Sequence, residues 1–113
     1  MELIKKFLEE KNEELLFVYE DEIWIAIKPI CNAININYIN QFKNIQKDSI
    51  LFNIAKCFTT KKKGDQRRKR KCLPESYLYG WIFSIKSKSK ELHEFKKICY
   101  KVLYEHFKGL FLQ

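Results

Sequence analysis

Glycine occurs only three times in 113 residues, at Gly64, Gly80 and Gly109, so neither a glycine-rich phosphate loop nor a G-x-S-x-G nucleophile elbow can be drawn from the chain. Histidine is scarcer still. His93 and His106 stand 13 residues apart, too far for the i, i+4 pair that grips a metal from one helix face. Four cysteines, Cys31, Cys57, Cys72 and Cys99, are separated by 26, 15 and 27 residues, and none forms the Cys-x-x-Cys unit of zinc ribbons and redox motifs. In a reducing compartment such thiols behave as small apolar residues, and three of them fall inside hydrophobic patterns. A Cys/His pair such as Cys99 with His93 or His106 is possible in principle. Their shared apolar stripe favours packing over catalysis. No enzyme activity, cofactor or metal is expected. No apolar run approaches the ~18 residues that would suit a membrane span. The start, Met-Glu-Leu-Ile-Lys-Lys, also lacks the pattern of a secretory signal, so a cytoplasmic protein is expected.

Apolar residues make up 46% of the chain and aromatic residues 15%, too much sticky surface for a disordered tail. One domain spanning residues 1–113 is expected, because no repeat and no Pro/Gly/Ser linker divides it. The net charge of +8 is unevenly spread. Between positions 61 and 71 lie eight basic residues and one acid, Asp65, so seven of the eight net positive charges fall within eleven residues.

Leu3, Ile4, Phe7 and Leu8 suit a short helix, although this segment could equally open the first strand. Residues 15–19 and 23–27 are β-rich runs joined by Glu20-Asp21-Glu22, and together they predict a β-hairpin. Pro29 sits well in the first turn of a helix whose apolar face is Ile30, Cys31, Ala33 and Ile34. A turn over Asn35-Ile36-Asn37 carries an N-cap, and Tyr38, Ile39, Phe42 and Ile45 follow at helical spacing to about Lys47. Two short helices at a tight turn are the outline of a helix-turn-helix reader, and also of many helical corners that touch no DNA.

Ile50, Phe52 and Ile54 alternate with their neighbours, which predicts a third strand running towards Phe58. Its partner is residues 67–73, with Lys63-Gly64-Asp65 as the turn, so the basic segment becomes the tip and second arm of a hairpin. Beyond Pro74, residues 75–85 predict a helix with Tyr77, Leu78, Trp81, Ile82 and Ile85 inward. A polar linker over 84–90 leads to a long amphipathic helix marked by Leu92, Phe95, Cys99, Val102 and His106 and closing near Gly109. The fold class is α+β: a small antiparallel sheet built from two β-hairpins, with four to five packed helices, the last one long.

With these elements placed, the stretch from Ile23 to Ile34 resembles the N-terminal domain of phage antirepressors, the Bro-N-like group. Gln41 and Ile45, the run Cys72-Leu73-Pro74, the run Trp81-Ile82-Phe83-Ser84-Ile85, and Glu94-Phe95 with Leu103 to Phe107 match further landmarks. The likeness covers about residues 13–108. It implies a phage or prophage regulatory domain that works by binding, either to nucleic acid or to a repressor protein. The family's loop between its two short helices commonly has a glycine where this chain has Asn35 or Asn37.

The candidate binding residues are therefore Lys61, Lys62, Lys63, Arg67, Arg68, Lys69, Arg70 and Lys71, cations on an exposed finger that could displace counterions from a phosphate backbone. Tyr38, Phe58, Tyr77 and Tyr79 are the aromatic residues nearest this finger in the chain and could stack on unpaired bases. Tyr79, expected on the outer face of its helix, is the leading one. The partner is expected to be DNA, RNA, or a nucleic-acid-binding protein such as a phage repressor. An alternative is a counter-defence, anti-CRISPR-like inhibitor that binds a host effector nuclease or its guide RNA. A basic inhibitor cannot imitate DNA, so it would clamp an acidic surface or compete for the RNA. The apolar stripe from Leu92 to Phe107 and the tail Leu110-Phe111-Leu112 suit either a homodimer or packing within the chain.

Overall fold

The computed structural model describes residues 2–12, 16–60 and 68–111. It opens with helix α1 (Glu2–Glu10), settling the first segment as a helix that buries Ile4, Phe7 and Leu8. Strands β1 (Leu16–Tyr19) and β2 (Glu22–Ala26) then form the first hairpin. Glu20 and Asp21 both take positive φ, 50° and 61°. A two-residue turn needs that geometry to match the right-handed twist of its strands.

Helix α2 (Ile27–Ala33) follows β2 directly, with Pro29 in its first turn, where a missing N–H costs nothing. It ends in a Schellman motif. Asn35 adopts φ 56°, the Ile36 N–H donates to the Cys31 carbonyl at 3.0 Å, and the Asn35 N–H donates to Asn32 at 3.3 Å. Asparagine tolerates the left-handed region better than most residues, so Asn35 closes the helix without a glycine. Helix α3 (Tyr38–Lys47) starts at Asn37, whose side chain accepts from the Asn40 N–H at 2.9 Å.

The third strand expected over residues 50–58 is instead a helix followed by a strand. Asp48 accepts from the N–H groups of Ile50 and Leu51 at 3.0 and 3.1 Å, and this cap launches the short helix α4 (Ser49–Ile54). Ile50 and Phe52 are left 62% and 51% exposed. Strand β3 (Lys56–Thr60) pairs antiparallel with β4 (Arg68–Pro74) from Lys56 opposite Cys72 to Thr60 opposite Arg68, so the arms of the second hairpin pair as expected, while its turn, Lys63-Gly64-Asp65, lies outside the described residues. Helices α5 (Glu75–Ser84) and α6 (Lys90–Phe111) complete the chain. Six helices are thus present among the described residues, one more than expected. α6 runs through Gly109 rather than stopping there.

The four strands form one antiparallel sheet in the order β1-β2-β4-β3. Residues paired across strands share a face, so the sheet divides its side chains into two sets. Ile25 and Leu73 join the main core with Ile4, Leu8, Ile27, Ile30, Leu78, Ile82, Leu92 and Phe95. Trp24, Ala26 and Cys72 form a second, smaller cluster with Phe17 and Phe58. No helix among the described residues is long and apolar enough to cross a membrane.

Candidate nucleic-acid interface

The register gives the second hairpin its shape. β2 pairs with β4 only at Cys72, Leu73 and Pro74, whereas residues 68–71 of β4 pair with β3 alone among the described residues. Beyond Cys72 the sheet therefore narrows to a two-stranded ribbon. Such a ribbon fits the major groove of a duplex. Lys69 stands opposite Thr59, Arg70 opposite Phe58 and Lys71 opposite Cys57. Lys69 is exposed, and Arg70 and Lys71 are half-buried.

No described carboxylate makes an ion pair with Lys69, Arg70 or Lys71. The pairing explains part of this. The acidic turn Glu20-Asp21 closes the β1–β2 hairpin, and the antiparallel register puts it at the opposite end of the sheet from the ribbon. Glu22 is occupied by α5, accepting from the Ser76 hydroxyl at 2.6 Å and the Ser76 N–H at 3.3 Å. Among the described residues, Lys56, Lys69, Arg70 and Lys71 thus gather on the ribbon and at its root, where they attract anions.

The sheet is curled strongly enough for its two edge strands to meet. Phe17 on β1 and Phe58 on β3 stack with centroids 5.2 Å apart and planes inclined at 16°, although two strands lie between them. Phe58 also contacts Trp24 at 5.3 Å and Tyr19 at 5.8 Å. The Lys56 ammonium sits 5.0 Å from the Tyr19 ring centre and 5.7 Å from that of Trp24, a cation–π arrangement. Arg70, opposite Phe58, adds a second cation at the edge of this aromatic cluster.

Of the residues singled out from the sequence, Lys61, Lys62, Lys63 and Arg67 lie outside the described residues. Arg68, Lys69, Arg70 and Lys71 are brought together on one strand, with Phe58 beside them. Tyr38 is half-buried at the start of α3, with the Lys28 ammonium 5.9 Å from its ring. Burial raises its hydroxyl above the ordinary range, while Arg70 pulls the other way. The two α5 tyrosines depart from expectation. Tyr79 is not on an outer face: it packs against the main core, and its hydroxyl donates to Glu75 at 2.8 Å. Burial first, then that carboxylate, pushes its pKa up. Tyr77, expected inward, is exposed. α5 starts just after Pro74, its N-cap, which pairs with Trp24, so these tyrosines follow the end of β4 away from the ribbon.

Phe17, Tyr19, Trp24 and Lys56 were not among the residues singled out. Their proximity depends on sheet curl, which no local sequence pattern reports. The alternation of Phe17 and Tyr19 in the first hairpin was the only available hint.

No curated protein and no solved structure matches the chain significantly. The family model of the P22_AR N-terminal domain matches residues 7–110, running from the first helix through the sheet and ribbon into the last turns of α6. That match agrees with the likeness seen in the Trp24, Pro74 and Trp81 segments. The chain therefore belongs to the P22_AR N-terminal domain family, a family of phage antirepressor N-terminal domains.

Proposed function

We propose that this phage regulatory domain works without catalysis, in the cytoplasm of the bacterial host, by binding nucleic acid through its β3–β4 ribbon and so neutralising a nucleic-acid-binding regulator. One observation carries the reading: Lys69, Arg70 and Lys71 share a two-stranded ribbon that extends past the four-stranded sheet, with no described carboxylate paired to them. Cations held this way release condensed counterions when they meet phosphates. A solvated charged loop would not need so rigid a support.

The test is a salt titration combined with reversal of Arg67, Arg68, Lys69 and Arg70 to Glu. With around five phosphates contacted, log affinity falls against log salt with a slope of about −3.5 on a single strand or −4.5 on a duplex. The reversed variant should keep its circular dichroism spectrum and lose binding. A flat salt response, or full binding by the folded variant, would remove the reading. Capture of a partner from host lysate, with and without nuclease, separates the routes. Retention after nuclease would assign the ribbon to an acidic protein surface, on a repressor or on a host defence nuclease.

A further inference from the structure

The concave face of the sheet, at the root of the ribbon, holds Phe17, Tyr19, Trp24 and Phe58 in one ring cluster. Its floor is closed, since Trp24 is 6% exposed and Ala26 and Cys72 are buried. Its rim is open: Tyr19 is 41% exposed, and Phe17 and Phe58 are half-buried.

Three features of this face are left incomplete by the described residues. Lys56 holds its cation over Tyr19 and Trp24 with no described carboxylate to pair it. The Trp24 Nε1–H is buried without a hydrogen-bond partner among the described residues. The Nε–H of Arg70, directly across the ladder from Phe58, is in the same condition. Buried donors are almost always paired in folded proteins, so two orphans on one face point to a missing acceptor.

A ligand that satisfies all three must bring negative charge, hydrogen-bond acceptors and flat faces together. Duplex DNA brings the first two but keeps its base faces stacked inside. An acidic protein surface does the same and leaves the ring rim without a planar partner. A single strand offers phosphates and unstacked bases in alternation, and aromatic rings beside cations are how such strands are held. We infer that this rim stacks unpaired bases of single-stranded nucleic acid, with Tyr19 and Phe58 as the stacking rings and Lys56 and Arg70 on the backbone. The inference rests on the nucleic-acid reading of the ribbon and adds the strandedness of the target.

The experiment titrates the purified protein with a short oligo-dT strand and with a duplex of equal length, reading affinity by anisotropy and following intrinsic tryptophan fluorescence. The single strand is expected to bind about ten-fold tighter and to quench the signal of Trp24, a quench lost in Trp24→Phe. Tyr19→Ala, an exposed change on an edge strand, should weaken single-strand binding about ten-fold and leave duplex binding unchanged, with Tyr19→Phe restoring it. Equal affinity for both forms, indifferent to Tyr19→Ala, would overturn the stacking rim while leaving the ribbon reading intact. Failure to bind either form would overturn both.

Discussion

The Ser89 hydroxyl donates a hydrogen bond to the Ile34 carbonyl at the end of α2, joining the linker before α6 to the two-helix corner 55 residues earlier. The same oxygen accepts from the Leu92 N–H at 3.2 Å, which caps α6. One small side chain thus satisfies two orphan groups at two helix ends. Ser89→Ala is expected to lower stability by about 1–2 kcal/mol, the loss of an N-cap together with an unpaired carbonyl. Ser89→Thr should retain most of it. Urea unfolding followed by circular dichroism would check this, and a change of a few tenths of a kcal/mol would show that the contact is idle.

The thiols give a second expectation. Cys31, Cys72 and Cys99 are buried and Cys57 is exposed, so a disulfide-exchange reagent should consume one equivalent per native chain and three more only after unfolding. Burial pushes the pKa of each of the three buried thiols from 9.0 up to about 12. The unfolded chain releases these protons first as pH rises through 9. The stability the three thiols contribute is therefore complete below pH 9 and is lost as pH climbs towards 12, at no more than about 1.4 kcal/mol per pH unit for each. A urea midpoint that holds level from pH 7.5 to 8.5 and falls above 9 fits this, and one that stays level to pH 10.5 does not.

The arms of the two hairpins and the order of most helices could be read along the chain because each rests on a local device, whereas the β2–β4 pairing that joins the hairpins has no local signal. Asn37 caps α3, Pro29 suits a first turn, and Pro74 ends β4. The failure at residues 50–54 has a local cause too. Apolar residues at 50, 51, 52 and 54 satisfy both periods, and Asp48, whose carboxylate selects the helix, was not weighed as a cap. The ribbon was legible for its charge. The aromatic rim was not, because Phe17 and Phe58 are 41 residues apart in sequence and meet only when the sheet curls. Ser89 was hidden inside what read as linker.

The first hairpin is strained at its turn. Glu20 and Asp21 sit at positive φ, where a residue such as glutamate costs roughly 1–2 kcal/mol and asparagine, aspartate or glycine less. Replacing the pair by Asn-Gly should raise stability by about 1–2 kcal/mol and remove two acids from the end of the sheet remote from the ribbon. Thermal unfolding would show a rise of several degrees in Tm. Nucleic-acid affinity should not fall, because the change takes two acids away from the neighbourhood of Tyr19, whose ring lies 5.0 Å from the Lys56 ammonium. An unchanged or lowered Tm would indicate that the acidic turn is held by contacts worth more than its strain.

The outer half of α6 frames the last expectation. Leu92, Phe95 and Cys99 are buried against the main core, but beyond them Tyr100, Tyr104, Phe107 and Leu110 are all exposed. These four positions recur at the three- and four-residue steps of a single helix stripe. Tyr100 packs on Phe83 with ring centroids 4.4 Å apart, so the homodimer expected from the sequence would rest on Tyr104 and Leu110, an isologous contact of the kind most small homodimers use. Tyr104, 60% exposed, can be changed without disturbing the core. Tyr104→Glu would place like charges together across a two-fold interface, so light scattering should read a dimer for the parent chain and a monomer for the variant, with superimposable circular dichroism. A parent chain that is monomeric at 100 μM would instead mean that the stripe does not associate with itself, and the ribbon would then meet its target as a single finger rather than as two.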